Sequence, residues 1–298
     1  MIQSQIGEWA ALWAAVCWTI TAMSFERASK RVGSLPVNWI RLVMAFVFFS
    51  AYSWIFRGHP FPHDASSHAW IWLSLSGLIG FVGGDLFLFR AFIEIGARVS
   101  MLIMASVPML TSLMGWIFMD EQLSGIDIFA MSLTITGIIL VVMDQNSDKK
   151  IELNQPIRGV LLAFGGALGQ AIGLILSKYG MKNYHAFAAT EIRVIAGIIG
   201  FSLLFFPLKR WKAVSKAVTN SRGMIPITIG AFFGPFLGVG FSLLAIQNTL
   251  TGIASTIMAI VPILIIPPAL FFFHERITIR EIFGAFVAVG GVALLFVM

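Results

Sequence analysis

Charge is what this 298-residue chain has least of. Asp, Glu, Lys and Arg make up 11% of it, whereas a soluble domain carries about 25%. So few charges cannot cover a water-facing surface, and a soluble or disordered protein is excluded. Cysteine is almost absent: Cys17 stands alone inside an apolar run, so no intramolecular disulfide can form. No Lys or Arg precedes the first apolar run and the first basic residue, Arg27, follows it, so the start does not read as a cleavable signal peptide. A phosphate-binding glycine loop ending in Lys-Ser or Lys-Thr is also missing, which argues against ATP-driven work by this chain. Polar stretches are short, the longest being 57–68, 144–156 and 209–222, so no extramembrane domain is expected. The formal charge of +6 is scattered singly or in small groups between apolar runs. That pattern orients a membrane protein and does not read as a nucleic-acid surface.

What fills the chain is hydrocarbon. Hydrophobic residues reach 58%, with 27 Phe and 9 Trp. At about 30 residues per span and connection, the length allows about ten transmembrane helices. Apolar runs place them near 7–26, 35–56, 70–90, 97–118, 125–143, 157–178, 186–207, 223–246, 251–273 and 279–298. The expected fold class is all-α, a polytopic membrane protein.

The chain repeats itself. Ile103-Met104-Ala105-Ser106-Val107-Pro108 in the fourth span returns as Ile257-Met258-Ala259-Ile260-Val261-Pro262 in the ninth. At the same offset of 154, Glu121 meets Glu275, Gly80 meets Gly234 and Gly137 meets Gly291. Nearer the start of each half the offset is 152, pairing Gly7 with Gly159 and Arg41 with Arg193. The halves are 7–143 and 157–298, joined by 144–156. Five spans per half is an odd number, so the second copy enters the membrane from the opposite side and the repeats are inverted. Fifteen Lys and Arg fall in odd-numbered connections and three in even-numbered ones. By the positive-inside rule the odd connections are cytoplasmic and both termini lie outside a cytoplasmic membrane.

Each half ends in a short Glu-bearing turn and a glycine-containing last helix. These are 118–123 leading to Gly137, and 273–278 leading to Gly284 and Gly291. The arrangement resembles the drug/metabolite transporter superfamily, EamA type, over nearly the whole chain. The resemblance implies a secondary carrier or exporter of small metabolites, amino acids among them, with a cavity between the repeats. It also implies termini in the cytoplasm, the reverse of the charge count.

Inverted repeats let one midplane site open to either side, at helices broken by Pro or Gly at matching places. Pro108 and Pro262 interrupt the fourth and ninth spans and withdraw a donor from the carbonyls of Met104 and Met258. Those spans either line the site or are kinked for packing. Glycines crowd the third, sixth and eighth spans, which suits close helix contact. Asp85 lies deep in the third span, where a carboxylate must be neutral, paired or facing water, and it is a candidate proton or amine site. Trp18 and its repeat partner Gln170 offer a stacking wall and a hydrogen-bonding wall, with Ser106 and Thr256 as further lining. Arg90 and Glu94, one turn apart, read as an interfacial ion pair. Arg41 and Arg193 snorkel to headgroups or hold gating contacts with Glu26 or Glu191. Glu121 and Glu275 read as caps that fix the turn into the next helix. No cofactor or metal is expected; His59, His63 and His68 sit in a Pro- and Ser-rich connection that reads as solvated. The partners are then a small-molecule substrate and the bilayer, with a monomer as the working unit. Two other classes remain open: an integral-membrane lipid-modifying enzyme, and a passive channel.

Overall fold

The computed structural model describes residues 5–95, 100, 101, 103–144, 157–264, 267, 268 and 279–297. Most of the expected connection, together with Arg98 and Glu275, lies outside the described residues. Among the described residues there are helices and turns and no strand. In chain order the helices are α1 (Ile6–Val32), α2 (Ser34–Arg57), α3 (Ser67–Glu94), α4 (Val107–Met119) and α5 (Gly125–Asp144). The second half continues with α6 (Ile157–Met181), α7 (Ala186–Leu208), the short α8 (Trp211–Val218), α9 (Ser221–Asn248), α10 (Thr251–Leu264) and α11 (Ile279–Val297). Six of them, α1, α2, α3, α6, α7 and α9, are long and apolar enough to cross a membrane. The others that are apolar, α4, α5, α10 and α11, are shorter. Residues 211–218, expected to be connection, instead form α8, which packs Trp211 against Trp39 and Phe205.

The duplication is visible in the defects of the helices. In α3 the backbone widens to π-helix over Leu78–Gly84, and in α9 it does so over Phe232–Gly238, the same seven positions at the offset of 154. A turn at Ala105 and Ser106 precedes α4, and a turn at Ala259 and Ile260 interrupts α10, again 154 apart. Proline two residues on explains both turns, since Pro108 and Pro262 cannot donate to the carbonyl four residues back. The packing repeats as well: α1 lies on α9 as α6 lies on α3, while α2 meets α7, α4 meets α10 and α5 meets α11.

Glycine sets the spacing between α3 and α6. A Cβ placed on Gly169 would fall 2.7 Å from the Cα of Gly84, and one on Gly173 would fall 3.3 Å from the Cα of Gly80. Two backbones in that contact leave no room for side chains. Between α5 and α11, a Cβ on Gly291 would fall 2.7 Å from the backbone nitrogen of Thr134. The outer surface is apolar, with Trp54, Phe56, Phe118 and Phe286 exposed.

α1 and its equivalent α6 run in opposite directions. The start of α6 packs on the end of α3, where Gly159 meets Glu94. Near the other end of α6, Lys178 donates to the carbonyl of Thr249 at 2.8 Å, and Gly7 at the start of α1 packs on that same Thr249. α1 therefore begins at the level where α6 ends. An acid marks each end of the bundle, giving a Glu121 face and a Glu94 face.

Candidate functional site

A cavity of about 120 Å³ sits between the halves. Seven repeat-equivalent pairs contribute both members to its wall: Trp18 and Gln170, Ala22 and Leu174, Phe81 and Pro235, Asp85 and Val239, Met101 and Ser255, Met104 and Met258, Ala105 and Ala259. The cavity therefore straddles the axis that exchanges the halves. Its irregular backbone is the shared feature, because the π segments of α3 and α9 and the proline turns of α4 and α10 all border it. A π turn inserts a residue and rotates the helix beyond it; Asp85 and Val239 are the first residues after each.

Most of the remaining wall comes from the first half, Gly234 being the exception from the second. Phe25, Arg41, Leu88, Phe89, Phe92 and Val107 line the cavity from the first half. Their counterparts Ser177, Arg193, Ser242, Leu243, Ile246 and Val261 are all at most 1% exposed and stay out of the wall. The hollow thus extends along the ends of α1 and α3 toward the Glu94 face, and the matching region at the Glu121 face is packed shut.

Several bonds hold that packed end. Glu121 accepts from the backbone nitrogen of Thr251 at 2.8 Å and from its hydroxyl at 2.7 Å. Lys178 reaches the same carboxylate at 2.7 Å. The Thr249 hydroxyl donates to Glu8 at 2.7 Å. Glu121 thus does not cap its own turn, as its position suggested; it caps α10, a helix of the other half. Farther out, Asp64 accepts from the Tyr184 hydroxyl at 2.8 Å and from Arg57. Partial burial pushes the Asp64 carboxyl up, but the bonds from Tyr184 and Arg57 outweigh it and hold the group below its ordinary value of 3.8. Burial, then the bond to Asp64, pushes the Tyr184 phenol up to about 12.

Asp85 is paired with the guanidinium of Arg41, whose Nε donates to Asn38 at 3.2 Å. Phe89, Phe25 and Phe81 surround that guanidinium at 4.8, 5.4 and 5.7 Å from their ring centres. Arg193 lies 4.8 Å from the ring centre of Phe81. Neither arginine snorkels, since exposure is 4% for Arg41 and 1% for Arg193. Glu191 meets neither; its carboxylate accepts from Ser53 at 2.9 Å and Ser50 at 3.3 Å. Glu26 pairs with Lys30 on its own helix. Arg90 donates to Glu94 at 2.8 Å, and Arg158 approaches the same oxygen at 3.6 Å.

The geometry sorts the residues singled out in the sequence. Trp18, Asp85, Gln170 and Arg41 line the cavity. Ser106, Pro108, Thr256 and Pro262 belong to the right helices but face away, with the Ser106 hydroxyl donating to Ile103 at 2.7 Å and that of Thr256 to Gly252 at 2.8 Å. Their neighbours Ala105, Val107 and Ser255 take the wall positions. Among the histidines, His59 and His63 lie together but His68 turns to the carbonyl of Tyr179 at 3.1 Å.

The model of the EamA-like transporter family matches residues 5–143 and again 157–297. The chain belongs to the EamA-like transporter family. Its members are membrane transporters of small molecules, and the two matched stretches coincide with the two halves of the fold. Mouse solute carrier family 35 member G1 is 26% identical over 147 residues, 47% of this chain; the match spans 40% of that protein's length. A solved crystal structure at 13% identity superposes with a TM-score of 0.71 over 100% of this chain and 97% of the other, a likeness of fold. In this EamA chain, sequence reasoning missed the aromatic wall of Phe25, Phe89 and Phe92 and the tie between Glu121 and Lys178. The first had a signal in the spacing of Phe89 and Phe92 one turn apart after Asp85; the second had none, because 57 positions separate its partners.

Proposed function

We propose that this chain is a secondary transporter that carries a small polar or amphipathic metabolite, amino acids included, across the cytoplasmic membrane by alternating access. On this reading ten spans form two inverted five-helix repeats, and the cavity between them is the substrate site. The observation that carries it is the asymmetry of a symmetric wall. Seven pairs of equivalents share the cavity, while Phe25, Arg41, Leu88, Phe89 and Phe92 line it toward the Glu94 face and their equivalents are packed toward the Glu121 face. One inverted-repeat conformer has that form, open on one side and closed on the other. Exchanging the roles of the halves opens the opposite side.

Trp18, Gln170, Ser255 and the Met side chains hold the solute, Arg41 and Asp85 supply its polar contact, and Glu121 with Lys178 closes the far end. The odd-numbered connections are basic, which by the positive-inside rule makes them cytoplasmic; the open face then takes up solute from the cytoplasm, the loading step of the export we propose. Both termini then lie outside. A monomer suffices, because both walls come from one chain.

The test begins with a thermal-shift screen of the purified protein against amino acids, nucleosides, sugars and cationic drugs. Counterflow in proteoliposomes is then measured with any stabilising solute. Saturable uptake stimulated by internal unlabelled solute is expected. Flux that neither saturates nor shows counter-exchange defeats the carrier reading in favour of a channel. Reporter fusions at both termini test the orientation.

A further inference from the structure

Around Asp85, two buried guanidiniums share one carboxylate. It pairs with Arg41. Arg193 sits over Phe81, one helical turn before Asp85 on α3, and its Nε and Nη1 are buried without a hydrogen-bond partner among the described residues. A guanidinium does not shed its proton to escape burial. The nearest other acid along its helix, Glu191, is engaged by Ser50 and Ser53. Buried guanidinium nitrogens with no acceptor are destabilising, so the site is short of an acceptor as it stands.

Resting on the substrate-cavity reading, we infer that the cavity takes a monovalent organic anion with an apolar or aromatic body, its carboxylate pairing with Arg41 while Asp85 turns to Arg193. Two anions then face two cations. An amine would add a third cation, and a neutral amide or a zwitterion would leave the surplus untouched. The wall suits such a body, since Phe25, Phe89, Phe92 and Trp18 line it together with Met101 and Met104. Gln170 and Ser255 remain for one polar substituent.

Four probes with one body separate the alternatives: phenylacetate, phenylacetamide, phenethylamine and phenylalanine, titrated calorimetrically into the purified protein. Phenylacetate is expected to bind about tenfold or more tightly than the other three, the value of a charge-assisted contact. In Arg193→Gln that preference disappears, while the melting temperature does not fall, because guanidinium nitrogens that lacked an acceptor have been removed. In Asp85→Asn the anion binds about tenfold more tightly, its competitor for Arg41 being gone. This second variant decides the matter if the first does not fold. Preference for the amine, the amide or the zwitterion overturns the inference and leaves the transport reading standing. Binding of none of the four also overturns it, and counterflow with the screened solutes then judges the transport reading separately.

Discussion

Glu121→Gln isolates the charge that holds the packed end shut. Glutamine keeps an oxygen for Thr251 but offers Lys178 no negative charge. The Glu121 side chain is 9% exposed and that of Lys178 20%, so the pair is shielded from water more than a surface ion pair. A hydrogen bond to a charged partner in such a setting contributes ~1.5–3 kcal/mol. If the bond exists in one conformer only, its loss shifts the ratio of Glu121-face-open to Glu121-face-closed molecules by about 10- to 150-fold. Cavity labelling reads this directly. In a background with Cys17→Ala, an Ala22→Cys change puts a single thiol in the cavity wall, reached by a membrane-impermeant maleimide from either side of sealed proteoliposomes. In Glu121→Gln, labelling from the Glu121 face should rise by about that factor and labelling from the Glu94 face should fall or stay level. Unchanged labelling from both faces, in a variant that melts normally, would refute the assignment of this cluster as the closure.

Particular contacts set three further outcomes. Gly169→Ala drives a methyl to 2.7 Å from the backbone of Gly84 and should lower stability by ~1–3 kcal/mol in detergent melting, whereas Gly290→Ala, with nothing within 4 Å, should not. Asp64 has its folded value depressed, so its contribution is present at neutral pH and is lost as pH falls through that lowered value. The melting temperature of Asp64→Asn should accordingly lie below that of the unmodified protein at pH 7, with the gap closing below about pH 4. Thr256→Val should leave the KM of counterflow unchanged, because its hydroxyl is spent on its own helix, while Ser255→Ala, in the cavity wall, should alter it.

Much of the architecture was legible because repetition survives in a sequence even when helix ends do not. The identity between 103–108 and 257–262 located two breaks that the backbone shows as turns at 105–106 and 259–260. Trp18 and Gln170, paired by the repeat, both line one cavity. Facing was harder. Helices that are apolar all round give no period from which to tell wall from packing, and so Ser106 and Thr256 were singled out where Ala105 and Ser255 take the wall. The π segments had no sequence warning beyond their glycines and, in the second, Pro235. Arg41 and Arg193 read as snorkelling because the cost of burying them is visible in one dimension, whereas Asp85 and the Phe rings that receive Arg41 come from another helix.

The closing cluster is not duplicated along with the fold. Lys178 corresponds by position to Glu26, Glu121 to Glu275 and Thr251 to Ala97. At the positions equivalent to the acid and the base of this cluster the sequence has two acids, so it does not offer the same ion pair a second time. On the transport reading proposed above, the molecule would be symmetric in its hinges and lopsided in its latches. Left empty, it should idle with its mouth at the Glu94 end, and a passenger must supply the tilt that a second latch does not.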